Sequence, residues 1–76
     1  MLLSKIKYTV KIDGMRCSHC AMKMENEFKK IKEVNKVKID LEKKQAILIL
    51  KEDISEDLVK TAVRDAGFDF VSLEKE

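Results

Sequence analysis

The two cysteines of this chain lie together in the segment GMRCSHC, residues 14–20 of 76. Cys17 and Cys20 have the spacing CxxC, which serves a redox disulfide, half of a zinc site or a two-thiolate site for a soft metal. The thiolate is the form that attacks a disulfide or binds a metal. The rest of the sequence has to show which chemistry this pair serves and which elements position it.

Alternation of apolar and polar residues with a period of two predicts the strands. It runs over residues 5–12 and again over residues 36–41. The continuous apolar run AILIL at residues 46–50 is typical of the most buried strand of a sheet. Apolar residues within 68–73 predict a last strand before the polar tail.

Steps of three and four between apolar residues predict two helices. The first begins at about Ser18, as its N-cap, and runs to about Glu33. The second spans about 56–66, with Ser55 as its N-cap and Gly67 as the left-handed residue beyond its end. The predicted apolar face of the second helix consists of Leu58, Val59, Ala62, Val63 and Ala66.

The element order β-α-β-β-α-β predicts an α+β, ferredoxin-like sandwich, in which both helices cover one face of a four-stranded antiparallel sheet. We expect residues 1–76 to form this single domain. Cys17 then falls in the loop after the first strand and Cys20 in the first helical turn. The helix dipole and nearby Arg16 and Lys23 favour thiolates there, which supports metal binding and redox chemistry equally.

Charge and hydropathy exclude several kinds of partner. The 16 basic and 14 acidic residues are interspersed and give a net charge of +2, so we expect no nucleic-acid partner. The start, MLLSKIKYTV, lacks the apolar run of a signal peptide or a membrane span, so we expect a cytoplasmic location and no membrane insertion. The initial Met1 and the early end after the last strand favour a free-standing protein over a domain excised from a transporter.

The remaining composition discriminates among the chemistries of the cysteine pair. His19 is the only histidine and no second ligand pair follows, so one chain cannot close a tetrahedral structural zinc site. Thioredoxin-like domains carry a cis-proline beside their active site, and this chain has no proline. A soft monovalent ion such as Cu(I) fits two thiolates better. A small dithiol–disulfide oxidoreductase remains the alternative of a different class, and two incidental thiols the alternative without function.

The segment GMRCSHC, the element order and AGF at residues 66–68 resemble the heavy-metal-associated domain family, whose loop motif is GMxCxxC. Members include cytosolic copper chaperones, N-terminal metal-binding domains of P-type ATPases and periplasmic mercury-binding proteins. The resemblance implies that Cys17 and Cys20 bind Cu(I), with zinc, cadmium or mercury as other cargoes. It further implies a carrier without catalytic activity that passes the ion by thiolate exchange to a P-type ATPase metal-binding domain or a similar acceptor.

The resemblance also implies roles for neighbouring residues and for assembly. Met15 is expected to point into the core and hold the loop down, and His19 to face solvent. We expect a monomer, with a metal-bridged homodimer as the alternative. Phe68 stands where bacterial copper chaperones of this family often have tyrosine, and it either covers the site or belongs to the core.

Other side chains of the first helix have two interpretations each. Met24 fits the core stripe, whereas Met22 lies on the side that would face a partner. Lys23, Lys29 and Lys30 are candidates for docking against an acidic partner, or form only a solvated helix face.

Overall fold

The computed structural model describes residues 6–76 and contains the six predicted elements in the predicted order. Lys5, which the predicted first strand included, lies outside the described residues. The elements are β1 (Ile6–Asp13), α1 (Ser18–Lys29), β2 (Val34–Asp40), β3 (Gln45–Leu50), α2 (Glu56–Asp65) and β4 (Asp69–Lys75).

The four strands form one antiparallel sheet in the order β2-β3-β1-β4, which confirms the predicted ferredoxin-like architecture. Alternate residues of the two central strands are buried, and the helices contribute their apolar stripes to the same core cluster. The sheet residues of this core are Tyr8, Val10, Ile12, Ala46, Leu48 and Leu50, and the helix residues are Met24, Phe28, Val59, Ala62 and Val63, together with the C-cap residue Ala66.

The apolar run of β3 is buried on one face only. Leu48 and Leu50 are almost fully buried, whereas Ile47 and Ile49, which alternate with them, are only half-buried. β3 is nevertheless the only one of the four strands in residues 6–76 without an exposed residue, which agrees with the expectation that it is the most buried. Both helices pack on the same face of the sheet, so the residues that alternate with the core residues point away from the core.

The boundaries of α1 differ from the prediction at both ends. Its N-cap is Cys17 and not the predicted Ser18. Cys17 has an extended backbone (φ −151°, ψ 176°), and its side chain makes no capping hydrogen bond. The helix ends at Lys29, four residues before the predicted Glu33. The N–H groups of Lys30 and Ile31 bond to carbonyls three residues earlier, so the chain tightens and leaves the helix.

The start and end of α2 follow the prediction, but one of its predicted core residues does not. The Ser55 hydroxyl accepts a hydrogen bond from the N–H of Leu58 at 3.3 Å, and Gly67 has the expected positive φ of +92°. Leu58 itself is 44% exposed, because the buried residues of α2 form a narrower stripe and Leu58 lies at its margin.

The buried ring of Tyr8 connects β1 to the segment that begins α2. Its hydroxyl donates a hydrogen bond to Asp53 Oδ1 at 2.7 Å and accepts one from the N–H of Ile54 at 3.1 Å. Ile54 is buried next to the N-cap Ser55, so these bonds fix where α2 starts over the sheet.

We predict that Tyr8→Phe lowers the free energy of unfolding by about 1–3 kcal/mol, because the buried N–H of Ile54 loses its partner. Urea unfolding with an unchanged m-value is the measurement. Asp53→Asn is the control, since the amide retains an acceptor and leaves the Tyr8–Ile54 bond in place, so its loss should be smaller. Equal stability of Tyr8→Phe and the unaltered protein would contradict this role.

Candidate metal site

The loop that carries the cysteines is fixed at its beginning by Gly14 and Met15. Gly14 has φ of +103°, a region that residues with a side chain rarely adopt, so it permits the turn at the end of β1. A Cβ atom at this position would lie 3.4 Å from Cδ1 of Phe68, which places the Phe68 ring directly against the loop. Met15 is 4% exposed and belongs to the core cluster, which confirms that it anchors the loop.

Cys17 and Cys20 face each other at the start of α1. Cys17 is exposed, and Cys20 is half-buried and packs against the core. Their Sγ atoms are 3.9 Å apart, well beyond the disulfide bond length of about 2.05 Å, so both are free thiols. Metal–thiolate bonds of about 2.3 Å allow one ion to contact two sulfurs at this separation. The geometry therefore fits a two-sulfur site without rearrangement of the loop.

Backbone groups of the loop favour the thiolate of Cys20. The pKa of the Cys20 thiol lies below its usual range, first because of a hydrogen bond to the backbone of Arg16 and then because of one to the backbone of Cys17. Partial burial opposes this shift, while the Cys17 thiol and the charge of Lys23 reinforce it. The sequence had indicated Arg16 for its side-chain charge, whereas the structure assigns the larger effect to its backbone.

The exposed side of α1 beside the site carries His19 and Met22. His19 is exposed, as predicted, and Met22 is 60% exposed, whereas Met24 is fully buried in the core. His19 and Met22 line a shallow surface hollow with Lys23 and Asn26. The predicted placement of Met24 in the core and of Met22 on the surface is therefore confirmed.

Two of the three lysines considered for docking have partners within their own helix. Lys29 pairs with Glu25 at 2.9 Å, and Lys30 pairs with Glu27 at 3.0 Å. Lys23 makes no salt bridge with any residue in the range 6–76. Of these three lysines, Lys23 is the one whose charge lowers the pKa of the Cys20 thiol.

The described part of the chain contains neither a larger cluster of metal ligands nor a membrane-spanning helix. No group of three or more His, Cys, Asp or Glu side chains in residues 6–76 is arranged to hold a metal ion. No helix within the same residues is long and apolar enough to cross a membrane.

A βαββαβ sandwich with two thiols at the start of its first helix has the architecture of small metal-binding domains. Residues 9–69 match the sequence model of the family described as heavy-metal-associated domain. The chain belongs to the heavy-metal-associated domain family.

Its relatives include both carriers and transporter domains. The copper chaperone CopZ of Staphylococcus haemolyticus is 31% identical over 65 residues, covering 84% of this chain and 96% of that protein. The N-terminal domain of ZntA is 32% identical in its apo form, with a TM-score of 0.78 and coverage of 96% and 94%, and it has also been solved in the Zn(II) form. A copper-binding domain from HMA7, a P-type ATPase, is 26% identical, with a TM-score of 0.76 and coverage of 93% of each chain.

We predict that the lowered pKa of Cys20 is visible in its alkylation. In Cys17→Ser, the rate of reaction with iodoacetamide should reach half its maximum at a lower pH in the folded protein than in the same variant unfolded in urea, because the thiolate alkylates. Adding Lys23→Gln to this variant should raise the midpoint slightly. Coincident midpoints for the folded and unfolded protein would contradict the effect of the loop.

Proposed function

We propose that the chain binds one soft metal ion, most readily Cu(I), through the thiolates of Cys17 and Cys20, and hands it to an acceptor protein. The observation that carries this proposal is the pair of free thiols, 3.9 Å apart, at an exposed helix start. Thiolates are soft donors that favour Cu(I) and zinc, and of these two ions the monovalent Cu(I) is better suited to a site with only two ligands. Membership in the heavy-metal-associated family supports the same class of cargo.

The unequal exposure of the two sulfurs suits stepwise release. Cys20 is half-buried and its thiolate is stabilised by the backbone, whereas Cys17 is exposed. An acceptor thiolate can therefore approach the ion on the side of Cys17, displace that sulfur first and then displace Cys20. Each displaced thiolate takes up a proton from solvent or from the entering thiol, so no oxidation or reduction occurs and no catalytic residue is required.

The buried parts of the loop keep the site in place during this exchange. Met15 is enclosed in the core and Phe68 lies against Gly14, so the backbone that supports the sulfurs is held from both sides. Preorganisation lowers the entropy cost of placing two ligands on one ion. Lys23, which makes no salt bridge within residues 6–76 and lies near Cys20, would attract an acidic acceptor surface.

The acceptor that fits this chemistry is a metal-binding domain of a P-type ATPase, and the chain itself would act as a cytoplasmic, monomeric chaperone. Its 31% identity to the copper chaperone CopZ over nearly the full length of both proteins supports this proposal. Similarity to the HMA7 domain supports the related role of a domain within such an ATPase.

A second candidate cargo is Zn(II). The N-terminal domain of ZntA, in the structure of its Zn(II) form, is 30% identical to this chain, with a TM-score of 0.76 and coverage of 93% and 92%. Zinc accepts thiolate ligands but is commonly four-coordinate, so its binding here would require ligands from a partner or from water.

We predict stoichiometric Cu(I) binding by the reduced protein under anaerobic conditions, measured by competition with a chromophoric Cu(I) chelator. Cys17→Ser and Cys20→Ser should each lower the affinity by about 100-fold or more, because loss of a ligand exceeds the 10–100-fold effect of its outer-shell partners. Ser18→Ala is the matched control in the same segment and should bind like the unaltered protein. An excess of Zn(II) should not displace Cu(I).

Three results would contradict the proposal. Unchanged Cu(I) affinity in both cysteine variants would show that Cys17 and Cys20 are not the metal ligands. Displacement of Cu(I) by Zn(II) would favour the second cargo. Catalytic turnover in thiol–disulfide exchange with a glutathione-linked peptide, at the glutathione potential of the cytosol, would instead indicate a dithiol oxidoreductase.

A further inference from the structure

The face of the sheet opposite the helices carries a compact group of lysines and isoleucines that come from three strands and are far apart in the sequence. We call this group the sheet patch, and it consists of Lys7, Lys36, Lys38, Ile47 and Ile49. The register places Lys7 and Lys36 on either side of Ile49 in one row across the sheet, and Lys38 beside Ile47 in the next row. Lys36 and Lys38 are exposed, and a shallow hollow of about 480 Å³ lies over the patch.

The charge of this face is unevenly distributed across the strands. On the far side, β4 places Glu74 opposite Thr9, and the Glu76 carboxylate lies 3.8 Å from Nζ of Lys7. Lys36 and Lys38, on β2, make no salt bridge with any residue of the range 6–76. On the same face, Asp40 of β2 and Lys11 of β1 lie on either side of Gln45, one row beyond Ile47. Directly beside the half-buried isoleucines of β3, the lysines that make no salt bridge within residues 6–76 are Lys36 and Lys38.

We propose that the sheet patch is a docking surface for an acidic, amphipathic segment of a partner protein. Acidic side chains of the segment would pair with Lys36 and Lys38, and its aliphatic side chains would cover Ile47 and Ile49. A helix about 10 Å across fits the strip formed by β2 and β3, since adjacent strands are about 4.8 Å apart. It would thereby stay clear of Glu74 on β4 and of Glu76 just beyond that strand.

Other occupants fit the same surface less well. A flat anionic bilayer would meet the whole face, including Glu74 and Glu76, which it repels. A second copy of the chain, related by twofold symmetry through the patch, would bring lysines against lysines. Single-stranded nucleic acid is bound by stacking on aromatic side chains, whereas the patch presents isoleucines.

The patch is independent of the cysteine loop. Cys17 and Cys20 lie on the layer of the helices, whereas the patch lies on the other face of the sheet. A partner segment can therefore occupy the patch while the cysteines remain accessible. If one acceptor contacts both the sheet patch and the cysteine loop, binding at the patch raises the effective concentration of the acceptor's metal ligands at the loop.

The test uses the reduced, metal-free, full chain and therefore does not depend on the proposed function. The probe is a synthetic amphipathic helical peptide of about 15 residues, with Glu on one face and Leu on the other. Titration followed by amide chemical shifts should perturb Lys36, Lys38, Ile47 and Ile49 and leave the cysteine loop unchanged. The dissociation constant should rise with added salt.

Variants separate the patch from general charge attraction. Lys36→Glu combined with Lys38→Glu should weaken peptide binding about tenfold, as reversal removes both proposed pairs. Lys32→Glu combined with Arg64→Glu makes the same charge change at exposed positions off the patch and should change binding by less than about twofold. Ile49→Thr should also weaken binding without changing charge. Lys36→Gln combined with Lys38→Gln, which introduces no negative charge on the edge strand, should give an intermediate loss.

Any of three outcomes would overturn the proposal. Chemical-shift changes centred on α1, or no binding of the acidic peptide, would show that the sheet patch is not the docking site. Equal weakening by the patch variant and the matched control would leave only non-specific attraction. Binding of phosphatidylserine vesicles or of single-stranded oligonucleotides at the patch, with no binding of the peptide, would assign a different occupant.

Discussion

The hydrogen bonds that join β1 to β3 on one side and to β4 on the other hold this strand in the middle of the sheet. The alternating residues of β1 enter the core, and one of them, Tyr8, also fixes the start of α2 through Asp53 and Ile54. The far end of β1 leads into Gly14 and the buried Met15, so the cysteine loop begins from a strand that is paired along both edges. A site on so small a domain depends on such a rigid point of attachment.

The two helix starts illustrate a compromise between stability and binding. α2 begins with the capping hydroxyl of Ser55 and has Glu56 and Asp57 in its first turn. α1 begins with Cys17, has no capping side chain and has no acidic residue in its first turn. An absent cap costs about 1 kcal/mol, but it leaves the positive end of the helix available to an anionic sulfur. The pKa of the Cys20 thiol is lowered at this same end of the helix, first by a hydrogen bond to the backbone of Arg16 and then by one to the backbone of Cys17.

Periodicity predicted the parts of the structure that depend on local pattern. The six elements, the antiparallel sheet, the cap at Ser55 and the turn at Gly67 all have a signal within a few residues. The predicted end of α1 and the predicted burial of Leu58 were wrong, because tertiary packing and not local pattern decides both. Assignment of Cys17 and Cys20 as metal ligands stays a prediction, although their separation and exposure agree with it.

The features that escaped prediction arise from pairing between distant segments. Tyr8 and Asp53 are 45 residues apart in sequence, and no local signal connects them. Lysines spread evenly along a chain look like a solvated surface, yet the register of β1, β3 and β2 gathers Lys7, Lys36 and Lys38 around Ile47 and Ile49. The apolar run of β3 indicated the most buried strand of the sheet, and among the described residues only its helix side is covered. That half-covered strand leaves apolar surface beside Lys36 and Lys38, which make no salt bridge within the described range 6–76, and a covering segment of opposite charge would bury this combination at little electrostatic cost.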